Sequence, residues 1–142
     1  MKRQSAVMMV WALVLSSVGM MTTFRAAHAA PAESIDGSTW VVTVTPDTRG
    51  QQKGEKPFED KLTFKEGKMT ASECVKHGFE ASDYIVTQGN GVWNFSTEQV
   101  SSHEGRTKWS GKITGDRVRG SMRWMKPDGG VVNYSFEGRR GA

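Results

Sequence analysis

Cys74 and His77 stand three apart in the stretch CVKH. A Cys-x-x-His pair is half of a tetrahedral metal site, because a thiolate and an imidazole at that spacing can reach one ion from a single turn. No second pair follows, and His103 is alone in SSHEG. The spacing therefore gives no metal site and implies no cofactor. The same two residues would form a nucleophile and its base only with a third group to orient the histidine, and the sequence offers none. Glu59 and Asp60 are adjacent. On a strand they point to opposite faces, which argues against a glycosidase-like carboxylate pair. GNG, from Gly89 to Gly91, is a hairpin turn and not a phosphate-binding loop. With no convergent polar groups, the chain is expected to bind and not to catalyse.

The N-terminus has the pattern of a secretory signal peptide. Lys2 and Arg3 precede an apolar run from Ala6 to Leu15, and Ala27 and Ala29 form a small-x-small cleavage site. The apolar run is short for a membrane span, which needs about 20 residues. The expected organisation is a signal peptide over 1–29, a leader over 30–37 and one domain over 38–140. The mature chain is expected in the periplasm or outside the cell, with no transmembrane segment. Lys2, Arg3 and Arg25 leave with the signal, so the remaining basic residues nearly balance the 15 acidic ones. Overall charge therefore makes no case for a nucleic-acid partner. Cys74 is the single cysteine. It excludes an internal disulfide, and a buried, inert thiol is the expected role.

The elements that must position these residues have period two. Trp40, Val42 and Val44 alternate with Val41, Thr43 and Thr45; Val132, Tyr134 and Phe136 alternate with Asn133, Ser135 and Glu137. Turn signals separate the runs at KEGK, TQGNG, TGDR and KPDGG, and a long polar loop runs from Pro46 to Pro57. Strands are expected near 39–46, 59–65, 68–73, 79–87, 91–97, 106–114, 117–125 and 131–138. The third alternates poorly, and a short helical turn fits there as well. In the fourth, strict alternation puts Asp83 on the face of Phe79, where it would need a partner. A bulge turns Tyr84 and Val86 inward and leaves Asp83 in water, and this is the expected arrangement. The fold class is all-β. An eight-stranded antiparallel up-and-down barrel leaves no edge unpaired; a two-sheet β-sandwich is the alternative.

The stretch KWSGKITGDRVRGSMRW fixes a hairpin. A two-residue turn at Gly115 and Asp116 sets Ile113 against Val118, Lys112 against Arg119, Gly111 against Gly120, Trp109 against Met122 and Lys108 against Arg123. Trp109, Ile113, Val118, Met122 and Trp124 then share the inner face. Gly111 and Gly120 leave a dent in that face. It is either filled, with Trp93 or Trp40 as the candidates, or open to a ligand. The candidate core or cavity is thus Trp40, Trp93, Trp109, Gly111, Gly120, Met122, Trp124 and Tyr134. The outer face carries Lys108, Lys112, Arg117, Arg119 and Arg123, with like charges directly opposed. An anionic surface or an acidic protein would relieve that repulsion; solvation by water is the other reading. No aromatic side chains interleave them, which argues against nucleic acid.

Gly37 and Trp40 open the first strand, and FEGRRG closes the last. In these features the chain resembles the lipocalin and avidin-type barrels. GSTW is one residue longer than the family's G-x-W. The resemblance implies that Trp40 plugs one barrel end, with Arg139 or Arg140 packed over it. The leading functional expectation is a non-enzymatic carrier of a small apolar or lipid-like ligand. A module that inhibits an exported enzyme, acting through the loop from Pro46 to Pro57, is the alternative function.

Overall fold

The structure, a computed structural model, describes residues 34–142. The expected signal peptide and the first leader residues lie outside the described residues. The strands are β1 (Thr39–Pro46), β2 (Phe58–Lys65), β3 (Lys68–Ala71), β4 (Ser82–Gly89), β5 (Val92–Ser101), β6 (Gly105–Thr114), β7 (Arg117–Met125) and β8 (Val131–Arg140). Each pairs antiparallel with the next, and β8 returns to β1, closing an eight-stranded up-and-down barrel. Closure pairs both flanks of every strand, so no edge is left to template aggregation.

Alternation decides which side chains enter. Trp40, Val42 and Val44 are buried along β1, and Val132, Tyr134 and Phe136 along β8. The turns follow their residues. Glu66 and Gly67 join β2 to β3 at φ 54° and 75°; Asn90 and Gly91 join β4 to β5 at φ 53° and 74°. Both central residues being left-handed is the type I′ requirement, which matches the right-handed twist of a hairpin. Gly115 takes φ 59° at the β6–β7 turn, and every pairing expected for that hairpin is present.

The structure corrects three expectations. The loop from Pro46 to Pro57 contains a short helix, α1 (Thr48–Gln52), capped by the Asp47 carboxylate, which accepts from Gly50 N at 2.7 Å. The third strand stops at Ala71 and gives way to the helical turn α2 (Ser72–Val75). The fourth strand starts at Ser82 and not at 79, because α2 and the bend after it carry the chain across the barrel end. Phe79 remains buried in that bend. As expected, Asp83 is outside and ion-paired with Lys68 at 2.8 Å, while Tyr84 and Val86 turn toward the core.

Candidate ligand site

The barrel ends differ. At one, Trp40 is 1% exposed and its indole Nε1 donates to Ser38 Oγ at 2.9 Å. Arg140 is its Cα partner across the sheet and lies over the ring. Asp36 ties the leader down. Its carboxylate accepts from Glu66 N and Gly67 N at 3.0 Å each and from Tyr84 Oη at 2.9 Å. Chiefly through the Gly67 bond, these donors hold the Asp36 carboxyl below its usual range. Trp40, Ser38 and Arg140, with Ile35 and Trp93, line a depression of about 370 Å³ at this end.

The other end is a cavity of about 360 Å³, lined among others by Phe58, Phe79, Met122, Trp124 and Tyr134. Small-molecule sites typically span about 300–1,000 Å³. Its walls come from inward positions near the starts of β6 and β8 and the end of β7, from the start of β2, and from α2 and the turn after it. Phe58 meets Tyr134 edge to face at 6.0 Å. The rim is polar. Glu55 accepts from Tyr134 Oη at 3.4 Å and from Lys126 Nζ at 3.3 Å; Lys126 in turn lies 4.5 Å from the Trp124 ring centroid. Trp124 Nε1 donates to Glu104 O at 2.6 Å. Burial, and then the Glu55 charge, push the Tyr134 phenol well above its usual range, so it remains a neutral donor.

Cys74 is part of this wall, and Asp60 stands behind it. Asp60 is 4% exposed and accepts from Lys61 N at 2.7 Å and Glu73 N at 2.9 Å. The Cys74 thiol donates weakly to Asp60 Oδ2 at 3.9 Å. Burial first, and the Asp60 charge second, push the thiol up to about 12. It is therefore shielded and protonated at neutral pH, unlike reactive cysteines with lowered values. His77 reaches the cavity mouth, but its link to Cys74 is a backbone bond, His77 N to Cys74 O at 3.0 Å. Among the described residues, no group of three or more His, Cys, Asp or Glu is placed to hold a metal ion.

The residues read from the sequence therefore divide. Met122, Trp124 and Tyr134 do line the cavity. Trp109 is fully buried in mid-barrel, where its Nε1 donates to Gln99 Oε1 at 3.2 Å. Trp40 and Trp93 belong to the opposite end, where both line the depression of about 370 Å³. They do not fill the dent at Gly111 and Gly120; the rings of Phe95 and Phe136 do, standing where side chains at those positions would go. The basic residues Lys108, Lys112, Arg117, Arg119 and Arg123 are all exposed on the outer wall.

Sequence reasoning missed Phe58, Phe79 and Glu55 as lining, and Gln99 as the polar centre of the core. Gln99 is fully buried and spends its amide on Met69 O at 3.2 Å. Its signal was the continued alternation Phe95, Thr97, Gln99, Ser101, all buried, which extends β5 past its expected end. No protein-family model, curated protein or solved structure matches this chain.

Proposed function

We propose that this protein is an exported carrier that holds a small apolar or lipid-like molecule in the barrel-end cavity lined by Met122, Trp124 and Tyr134. The observation that carries the reading is the lining of the cavity of about 360 Å³ at one barrel end, where Phe58, Phe79, Met122, Trp124 and Tyr134 meet beneath a polar and acidic rim. The Trp40 end carries a depression of about 370 Å³ whose lining includes Ser34, Ser38, Gln88 and Arg140 beside Trp40 and Trp93. Apolar walls with a few placed polar groups are the usual composition of ligand sites. Tyr134 and Lys126 are the groups that would orient a polar head at the rim. The likeness to lipocalin and avidin-type barrels supports the same reading through the closed barrel and the Trp40–Arg140 pair.

Inhibition through the loop from Pro46 to Pro57 has less support. That segment is folded down: Asp47 N donates to Asn133 O at 2.8 Å, and Glu55 is tied to Lys126.

Titration with the neutral apolar fluorophore N-phenyl-1-naphthylamine tests the carrier reading. Saturable binding of one probe per chain is expected, with quenching of tryptophan emission. Met122→Phe narrows the cavity and should weaken binding, and Phe58→Ala opens the mouth and should change it; circular dichroism checks that both fold. Absence of saturable binding, or binding that ignores both changes, overturns the proposal. Export is tested separately by the N-terminal sequence of protein recovered from the periplasm or medium, which should begin at Ala30.

A further inference from the structure

The outer wall carries a continuous row of hydroxyls, independent of the cavity. Cα partners across the strands run Thr45, Ser135, Ser121, Ser110, Ser96, one from each of β1, β8, β7, β6 and β5. Neighbouring strands lie about 4.8 Å apart, so the row is about 19 Å long. The rows two residues away, about 6.6 Å to either side, carry longer and mostly charged side chains at their centres. One runs Thr43, Glu137, Arg119, Lys112, Asn94; the other runs Asn133, Arg123, Lys108, Glu98.

Short side chains between long ones make a trough on a wall that would otherwise be convex. A depression of about 520 Å³ is floored by Thr45, Ser135, Ser121 and Ser110, with Arg119 and Lys112 on its bank. A second, of about 630 Å³, shares that bank and extends to Arg117 and Arg139. Arg117 and Arg139 are themselves direct cross-strand partners. The wall therefore sets three like-charge pairs side by side: Lys108 with Arg123, Lys112 with Arg119, and Arg117 with Arg139. Among the described residues, none of these cations has a carboxylate within 4.0 Å; the ion pairs lie elsewhere. Glu137 is the single acid in the trough and faces Arg119 in register without closing an ion pair. Like charges directly opposed on a sheet are unfavourable, and an anion laid between them removes that repulsion.

The geometry points to a linear anionic polysaccharide as the occupant of this trough. Its acidic groups would meet the lysines and arginines of the banks. Its ring hydroxyls would meet the serine floor, whose hydroxyls both donate and accept. A bilayer is flat and cannot reach a recessed hydroxyl floor. A single-stranded nucleic acid would call for aromatic side chains to stack its bases, and this face has none.

Titration calorimetry of the full chain with a heparin oligosaccharide is the test. Polyphosphate, a single-stranded oligonucleotide and phosphatidylglycerol vesicles are the comparison probes. Heparin should bind, more weakly as salt rises. The bank pair Lys112→Gln with Arg119→Gln should weaken binding roughly five- to tenfold. The floor pair Ser110→Ala with Ser121→Ala should weaken it roughly twofold. Glu137→Gln should tighten it roughly twofold. A control pair remote from the trough, Lys53→Gln with Lys65→Gln, should leave it unchanged. Thermal melts verify that each variant remains folded. The proposal is overturned if heparin does not bind at low salt, or if the control pair weakens binding as much as the bank pair. Tighter binding to polyphosphate, oligonucleotide or vesicles than to heparin also overturns it.

Discussion

The guanidinium carbon of Arg140 stands 5.8 Å from the centroid of the Trp40 indole, and the two residues are direct partners across the β1–β8 seam. The seam joins the first strand to the last, and this contact lies at one end of its ladder. Trp40 is 1% exposed and its Nε1 is satisfied by Ser38. Trp40→Ala should cost about 3–5 kcal/mol, as large aromatic truncations in cores do. Arg140→Ala should cost only about 0.5–1 kcal/mol, because a cation at an exposed site gains little from the ring. Denaturant melts of both variants check this. Similar losses for the two would mean that the cation, and not the packed ring, holds the seam.

Asp60 is a buried acid whose carboxyl is pushed above 3.8, chiefly by desolvation and against the pull of its bonds from Glu73 N and Lys61 N. The folded state therefore binds more protons than the unfolded state between 3.8 and the raised value. Stability from this group falls as pH rises through that window, and the penalty is fully present above it. Asp60→Asn keeps an oxygen for both N–H donors and removes the charge. The variant should melt above the parent at pH 7–8, and the gap should close as pH falls toward 4. Thermal melts across that range measure it. A gap that does not change with pH would assign the effect to something other than ionisation.

Gly120 is a position where the backbone comes too close for a side chain. A Cβ there would stand 2.1 Å from Ser110 O, 2.6 Å from Gly111 Cα and 2.7 Å from the Phe136 ring. The nearest atoms are main chain and cannot swing aside. Gly120→Val should cost about 3 kcal/mol or more, the upper end for overpacking. At Gly111 the atoms in the way belong to the Phe95 and Phe136 rings. Gly111→Ala combined with Phe95→Leu should therefore recover much of the loss of Gly111→Ala alone. A tolerated Gly120→Val in urea melts would show that the coil of β7 relaxes freely.

The barrel was legible because alternation and turn chemistry are local. Gly115–Asp116 set the register of β6 against β7, and every partner followed by counting. An arginine over Trp40 was legible only through the resemblance to lipocalin and avidin-type barrels, which left Arg139 and Arg140 as alternatives; Arg140 is the one that packs there. The cavity was only partly legible. Met122, Trp124 and Tyr134 follow from alternation within strands. Phe79 and Cys74 do not, since they reach the barrel end through α2 and the bend after it, whose path is set by tertiary contacts such as Glu73 N to Asp60. The dent at Gly111 and Gly120 was legible, but what fills it depended on β5 and β8 together. The ring at position 95 proved to be near enough, and Trp93 sits two residues too far toward the Trp40 end.

The charged wall gives a last prediction. Lys108 faces Arg123 and Lys112 faces Arg119 in the observed register. Lys108→Glu with Lys112→Glu turns two repulsive pairs into attractive ones. All four side chains are exposed, so each change should add well under about 1 kcal/mol. The gain should shrink as salt rises, because exposed pairs are screened over a Debye length of about 10 Å at 0.1 M. Glu98 is the cross-strand partner of Lys108 on the other side, and its ion pair is with Arg106 at 2.9 Å. A glutamate at 108 would stand beside Glu98, so Lys112→Glu alone should stabilise more than Lys108→Glu alone. Melting temperatures of the two single variants and the double at low and high salt read out all three statements. Equal gains from the two singles would mean that Glu98 is already neutralised by Arg106, and a loss from Lys112→Glu would mean that the hydroxyl trough beside it is held open by the cation.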